Sequence, residues 1–300
     1  MFPDQIIESP EPNCSIATWD ILPKNVSSKS FSVLCINMRS MCNKFEEFEG
    51  LIKDSNLKFT FIVITESWLK KDIDILYELD GYRSKSIYRD MKRGGGIKLY
   101  YRDHLNVKLI IEYTHVKDYC KMLTIECLVS GLGKIFISCV YRPPNNMNNE
   151  FFENISNLLS YVQNRNAIVL GDFNFDMNTT MLDDNIRQYI GIFNEHGFFH
   201  EISLNTYISP SNGDVKSCID QIWTNLDFNR ESFVINPPLS DHCAISTFFK
   251  ITLDLPPVLT KFRDFQNSNV VKYKEYIQMN FLLLLRNVIY HIELVPWSYG

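Results

Sequence analysis

The sequence offers no route into a bilayer and no secretory start. Its longest fully apolar tract, Phe281-Leu282-Leu283-Leu284-Leu285, is cut by Arg286 and falls far short of the roughly 20 residues a membrane-crossing helix needs. Residues Met1 to Asn13 carry Asp4, Glu8 and Glu11 and lack the basic start and apolar centre of a signal peptide. No Cys-x-x-Cys pair occurs among the eight cysteines; Cys35, Cys127 and Cys139 lie inside apolar runs, where a thiol behaves as a small hydrophobe. These absences lead us to expect an intracellular, reducing compartment. There is no basic excess either: the net charge is −5, so nucleic-acid binding has to come from a local patch. No repeat of the solenoid kind is visible. The run Gly94-Gly95-Gly96 is not followed by Gly-Lys-Ser/Thr, which argues against a P-loop.

What is present is a large core. With 300 residues, 45% of them hydrophobic and 13% aromatic, the chain forms one big domain or one domain with an appendage. Residues 1–30 hold four prolines and no clear period, and read as a loosely ordered leader. Phe31 to Asn37 reads as a strand, Asn43 to Asp54 as an amphipathic helix, and Phe59 to Thr65 as a second, fully apolar strand. That order suggests a layered α/β start with a parallel pair.

Residues 81–102 change character. Arg83, Lys85, Arg89, Lys92, Arg93, Lys98 and Arg102 are interleaved with four tyrosines and oppose only Asp90, which makes the local basic patch that the total charge hides. The three glycines either cradle a phosphate, let the backbone pass close to a neighbour, or turn a hairpin into the strand Ile97 to Tyr101. Strands at Val107 to Tyr113, Lys121 to Val129 and Lys134 to Tyr141 follow closely enough to argue an antiparallel meander. Asn149 to Gln163 places Phe151, Phe152, Ile155, Leu158, Leu159 and Val162 on one helical face. A weaker helix covers Asp184 to His196. Short strands follow at Thr206 to Ile208, Ser217 to Asn225, Ser232 to Asn236 and His242 to Ile251.

Between the two helices lies Ala167-Ile168-Val169-Leu170-Gly171-Asp172-Phe173-Asn174, a buried strand that ends abruptly in polar groups. Asp172 and Asn174 either hold an attacking water and a phosphate oxygen or merely cap an Asx-turn. Other strand ends carry a matching set: Asn37, Glu66, Tyr141, Ser217 with Asp220, and Ser240-Asp241-His242. Their convergence on one site is the functional expectation.

These residues carry a family resemblance. The order Asn37, Ile64-Thr65-Glu66-Ser67-Trp68, Tyr141-Arg142-Pro143-Pro144, Gly171-Asp172-Phe173-Asn174, Ser217-Cys218-Ile219-Asp220-Gln221-Ile222 and Ser240-Asp241-His242 resembles the endonuclease/exonuclease/phosphatase family of the pancreatic deoxyribonuclease fold. Ile36 to Ser40 with Asn43-Lys44, the Thr65 to Leu69 segment and the glycine run resemble, within it, the apurinic-like endonuclease domain of non-LTR retrotransposons. The resemblance covers roughly Phe31 to Phe249 and implies a four-layer α/β/β/α sandwich, two packed mixed sheets flanked by helices.

It also implies a divalent cation, usually Mg2+ with Mn2+ as a substitute, and hydrolysis of a phosphodiester to nick target DNA and leave a 3′-hydroxyl. By resemblance, Glu66, Asn37 and Asp241 belong to the metal, and Asp172, Asn174, His242, Asp220 and Tyr141 to catalysis. The expected DNA contacts are Arg39, Arg89, Lys92, Arg93, Arg142, Thr206 and Ser217. Arg39 stands where cellular abasic-site repair enzymes of the family carry an aspartate, which favours the retrotransposon branch. The domain is expected over residues 31–255. Residues 256–300 resemble a helical linker toward a reverse transcriptase, and with no polymerase following, the chain looks like a fragment. Expected partners are duplex DNA and, supplied in trans, element RNA or a reverse transcriptase. A chromosomal target implies the nucleus, with the cytoplasm as the alternative. Two other functions compete: a phosphoesterase of the same fold acting on a non-DNA ester, and a non-catalytic nucleic-acid-binding remnant.

Overall fold

A computed structural model describes residues 13–22, 30–89, 94–144, 147–180, 183–209, 213–236 and 238–252. The strands and helices run β1 (Cys14–Thr18), β2 (Ser30–Asn37), α1 (Phe45–Asp54), β3 (Phe61–Thr65), β4 (Tyr82–Ile87), β5 (Ile97–Arg102) and β6 (Val107–Leu109). They continue with β7 (His115–Val116), β8 (Lys121–Val129), β9 (Gly133–Tyr141), α2 (Asn148–Val162), β10 (Asn166–Asp172) and α3 (Asp184–Glu195). The last six are β11 (Phe199–His200), β12 (Tyr207–Ile208), β13 (Val215–Ser217), β14 (Asp220–Thr224), β15 (Arg230–Asn236) and β16 (Ala244–Thr252). The expected Lys92 and Arg93 contacts, the Phe281 to Leu285 cluster and the linker lie outside the described residues.

Two mixed sheets form the body. The first runs β1-β15-β16-β2-β3-β5-β4, and the second β11-β14-β10-β9-β8-β6 with β7 also on β8. The expected parallel pair is β2 with β3, and the expected meander is the antiparallel β8 and β9. Alternation decides what each sheet face covers, because successive side chains point to opposite faces. Val33, Cys35, Phe61 and Val63 of the first sheet meet Leu123, Ile125, Ile137 and Cys139 of the second in a shared inner core. The other faces are covered by helices: Leu34, Ile36, Ile62 and Ile64 pack with Phe48 and Ile52 of α1, while Phe136, Val140, Val169 and Trp223 pack with α2 and α3. The layers are therefore α/β/β/α. Each such side chain, fully buried, contributes about 1.5–3 kcal/mol.

Three local expectations change. Residues 14–22 are not a loose leader: β1 pairs in parallel with β15, and Ala17, Trp19 and Leu22 are buried in the outer core of the first sheet. A five-residue edge strand is too short for periodicity to reveal. The strand expected over Val107 to Tyr113 stops at Leu109 and turns through a 3-10 segment, Ile111–Tyr113, which the Thr114 hydroxyl closes by donating to the Ile110 carbonyl at 2.8 Å. The strand expected from Ser217 to Asn225 is broken at Cys218-Ile219, where the Asp176 carboxylate and the Thr206 hydroxyl accept the two backbone N–H groups. The break sends Ser217 into the β12–β13 hairpin and Asp220 into the second sheet.

Candidate active site

One row across the second sheet sets the site. Asp172, the last residue of β10, is in register with Tyr141 of β9 on one side and with Asp220 of β14 on the other. The row is possible because Gly171 precedes it: a Cβ there would stand 1.7 Å from the Val140 carbonyl oxygen. The first sheet supplies Asn37 at the end of β2, whose amide donates to Asp172 Oδ2 at 2.8 Å and joins the ends of the two sheets. Asp172 Oδ1 accepts the Asn174 backbone N–H at 3.1 Å. That bond is an Asx-turn, so the two readings of Gly-Asp-Phe-Asn hold together: the turn is the device that fixes the carboxylate in the cleft.

His242 closes the row from the other side. Its Nδ1 lies 2.8 Å from Asp220 Oδ2, which also accepts the Thr206 hydroxyl at 2.8 Å. Ser240 orients this loop: its hydroxyl donates to the Asn37 carbonyl at 2.5 Å and accepts the His242 N–H at 3.0 Å. Burial alone would depress the imidazole, but the Asp220 carboxylate, with Asp172 behind it, raises its pKa to about 9. Asp172 is itself raised to about 7, by burial and by the neighbouring Asp220, against the pull of His242, Asn37 and the Asn174 N–H. A base poised near neutrality beside an imidazolium results.

Glu66 faces this row from the first sheet. It follows β3 directly, has φ +51, and its Oε2 accepts the Gly95 N–H at 2.9 Å and the Trp68 indole N–H. The Tyr141 hydroxyl also bonds to this carboxylate, and burial together with the Glu66 charge holds the phenol well above its ordinary pKa. The three glycines are explained here. A Cβ at Gly94 would stand 3.5 Å from Glu66 Oε2, and one at Gly96 would stand 2.7 Å from the Ser67 hydroxyl. The loop is therefore a bracket pressed against the segment that carries Glu66, rather than a cradle for phosphate. Strain concentrates in the same place. Among the described residues six non-glycines have positive φ, and five of them, Arg39, Ser40, Glu66, Trp68 and Asn174, belong to the loops around this site, as expected where function overrides backbone preference.

Between the sheet ends opens a cleft of about 640 Å³, lined by Asn37, Glu66, Tyr141, Asp172, Asn174 and His242, with Arg39, Arg89, Trp68, Tyr207 and Ser217 also reaching it. Asp172, Asp220 and His242 each bring one ligand-capable atom within 4.8 Å of the others.

Several expected roles change. Arg142 is only 4% exposed; its guanidinium donates to the Phe173 and Asn174 carbonyls and stacks 4.1 Å over Phe175, so it braces the Asp172–Asn174 turn and is not placed to touch DNA. Thr206 is fully buried and holds Asp220. The Asp241 carboxylate, expected at the metal, pairs with Arg39 Nη1 at 2.6 Å. The basic patch is thinner than the sequence suggests, because Lys98 and Arg102 point into the protein. Sequence reading missed Tyr207, whose ring packs edge-on against His242 at 5.2 Å. As one of the two residues of β12 it carries no motif. The bracing role of Trp68 was foreshadowed only by its place in Thr65 to Leu69.

Residues 135–246 match the family described as endonuclease-reverse transcriptase. Solved structures with the same fold include the endonuclease domain of TRAS1, a telomere-specific non-LTR retrotransposon, at 15% identity and a TM-score of 0.58, covering 74% of this chain and 99% of that one. The APE2 catalytic domain of Xenopus laevis is 13% identical with a TM-score of 0.59, covering 76% of this chain and 94% of that one. A mannosyl-6-phosphatase of Bacteroides thetaiotaomicron is 15% identical with a TM-score of 0.51, covering 75% of this chain and 100% of that one. No curated protein matches the sequence. Over residues 135–246 the sequence matches that endonuclease-reverse transcriptase family model, and over the described residues the chain has the fold of these structures.

Proposed function

We propose that this protein is a divalent-metal-dependent DNA endonuclease that hydrolyses one phosphodiester and leaves a 3′-hydroxyl. The observation that carries this reading is the Tyr141–Asp172–Asp220 row, closed by His242 on Asp220 and facing Glu66. Asp172, fixed by Asn37 and the Asx-turn, takes the proton of the attacking water. Asn174 stands beside it at the cleft for a phosphate oxygen. His242, held through Nδ1 by Asp220, turns Nε2 away from that carboxylate and offers a cationic N–H to the phosphate. Tyr141 keeps its proton and donates.

The donor set suits a hard cation: Glu66, Asn37, Asp172 and Asn174 bring carboxylate and carboxamide oxygens to the cleft. Because Asp220 and His242 already satisfy one another, we assign the ion, Mg2+ with Mn2+ as substitute, to Glu66 with the remaining lone pair of Asn37 Oδ1. When bound it withdraws charge from the phosphate and from the departing oxygen. Duplex DNA is the proposed substrate, the two-sheet body from β1 to β16 the catalytic part and residues 256–300 a linker toward a reverse transcriptase, with element RNA or a polymerase acting in trans in the nucleus. Nicking of supercoiled plasmid with and without EDTA tests this; wild-type protein should nick only with metal, and Glu66→Gln and His242→Ala should not. Metal-independent nicking, or nicking unchanged by both substitutions, overturns it.

The internal placement of Lys98 and Arg102 favours a second reading, a phosphoesterase on a smaller ester, since a duplex is gripped through many phosphates. Competition by duplex DNA against inositol phosphates separates the two.

A further inference from the structure

Lys121 opens β8 in register with Tyr141. Odd-numbered residues of β8 face the inner core between the sheets (Leu123, Ile125, Cys127), so Lys121 lies on the same face at the cleft end of that row. It is 1% exposed, and its ammonium finds no hydrogen-bond acceptor among the described residues. It stands over the face of the Tyr141 ring, 5.8 Å from the ring centroid. Around it the charges are Glu66 and Asp118 on the attractive side and Arg89 on the repulsive side. The Arg89 side chain and Lys121 Cε both crowd Gly95, at 3.3 and 3.6 Å from where a Cβ would be. Gly95 is the residue whose N–H holds Glu66.

Two cations converging on one bracket, one of them withdrawn from water with no acceptor, is an arrangement that raises the energy of the empty protein. An arriving phosphoryl oxygen supplies what is missing. We propose that Lys121 belongs to the substrate site: with Arg89 covering it through a flexible side chain in the empty state, its ammonium accepts a phosphate-ester oxygen as partner when substrate enters between Tyr141 and Glu66. This assignment rests on reading the cleft as a phosphoester site. The geometry also explains why the glycine bracket must be thin on this side, since any side chain at Gly95 would separate Lys121 and Arg89 from Glu66.

The test uses the full chain as wild type, Lys121→Met and Lys121→Arg. Melting is followed alone, with inorganic phosphate, and with a duplex in EDTA; plasmid nicking gives kcat and KM with Mg2+. Methionine keeps the stem and removes the charge, so Lys121→Met should melt at or above wild type when empty, yet lose most of the melting shift that phosphate and duplex give wild type. Its kcat/KM should fall about 10- to 100-fold, the scale of a lost charge-assisted hydrogen bond, with partial recovery in Lys121→Arg. A purely structural lysine behaves the other way: the methionine variant then melts lower and keeps both the ligand shift and kcat/KM, which overturns the proposal. No shift of wild type by either ligand overturns it too. A shift with phosphate alone names a small ester as the anion source, and one with duplex names DNA. If wild type proves unable to nick while its phosphate shift vanishes in Lys121→Met, the nuclease reading fails and the Lys121 assignment stands.

Discussion

Two lysines, Lys98 and Lys121, sit on neighbouring strands of opposite sheets, and both are withdrawn from solvent. Lys98 is fully enclosed in partners: Asp74 Oδ1 at 3.1 Å, Glu78 Oε1 at 3.0 Å, the Ser84 hydroxyl at 3.1 Å and the Asp74 carbonyl at 3.4 Å. Lys121 has the Tyr141 ring and, among the described residues, no acceptor. The same contrast separates the regions around them. Around Lys98, charges are paired and the backbone is unstrained. Around Lys121, one finds a raised carboxyl at Asp172, an Asp220 oxygen without a partner among the described residues, and the strained residues Glu66, Trp68 and Asn174. A buried ion that is matched stabilises its surroundings modestly, whereas one left unmatched stores the affinity that a ligand later releases.

The largest effect that sharpens this contrast is at Asp172. Asp172→Asn should lower the nicking rate about 10²- to 10⁴-fold, the usual worth of a general base, and above neutral pH should also raise the melting temperature. Asparagine loses one of the two hydrogen bonds that Asp172 accepts, worth about 1 kcal/mol. Against that, each unit by which the carboxyl is raised represents roughly 1.4 kcal/mol, so relief of the repulsion from Asp220 outweighs the lost bond. A variant that is both inactive and less stable would dissolve the distinction between the two regions.

Titration gives the next test, at about tenfold in rate per pH unit on either limb. With Asp172 at about 7 and His242 at about 9, the rate should rise as Asp172 loses its proton and fall as His242 loses its own, giving a bell between those values. Stability of the metal-free protein moves only downward over the same window. Both groups have folded pKa values above their ordinary ones, so each contributes most when protonated, and its contribution is lost as pH rises through the folded value. Melting temperature should therefore decline from the carboxylate range toward pH 9, with the upper part of the decline missing in His242→Gln. A flat profile would remove the coupling of His242 to Asp220.

Lys98→Met breaks the comparison from its other side. It strands two carboxylates, but Glu78 is partly exposed, so solvent softens the loss from the scale of a fully buried pair to about 1–3 kcal/mol. Thermal unfolding should show a fall of several degrees, with kcat unchanged at temperatures where the variant is folded. Opposite signs for Lys98→Met and Lys121→Met in melting are the sharpest form of the contrast, since the substitution is the same.

How far the sequence revealed this follows from what kind of signal each residue gives. The strands that carry or lead into Asn37, Glu66, Tyr141 and Asp172 are largely apolar runs with abrupt polar ends, and such ends are visible because burial on both faces forces the run and function forces the break. The layers followed from the same runs and from the helical faces of α1 and α2. What stayed hidden depends on direction rather than on type. Lys98, Arg102 and Arg142 are cations like any other in the sequence, and only the register of β5 and the exit of β9 turn them inward to meet Asp74, Phe59 and Phe173. Cys14–Thr18 was missed because a five-residue edge strand has too little period to read, and Tyr207, though inside the expected Thr206 to Ile208 strand, because a tyrosine there carries no motif. The Asp241 pairing with Arg39 was hidden by direction, since adjacent residues of an extended segment face opposite ways.

The smallest predicted effect settles Thr206, whose motif suggested a DNA contact and whose surroundings do not. Its hydroxyl donates to Asp220 Oδ2 at 2.8 Å and accepts the Asp220 N–H at 3.1 Å, so it works through Asp220 and His242. Thr206→Ser should keep the rate within about twofold, and Thr206→Val should cost about 3- to 10-fold in kcat, the range of the net contribution of an ordinary hydrogen bond. KM and the salt dependence of duplex binding should stay as in wild type, because no phosphate contact is removed. A phosphate-binding threonine makes the reverse prediction: kcat is kept, affinity falls, and log K declines less steeply with log salt. The upper limb of the pH profile decides between them. Only a hydroxyl that shapes Asp220 can move the pH at which His242 lets go of its proton, and Thr206→Val should move it, by leaving Asp220 Oδ2 to the imidazole alone.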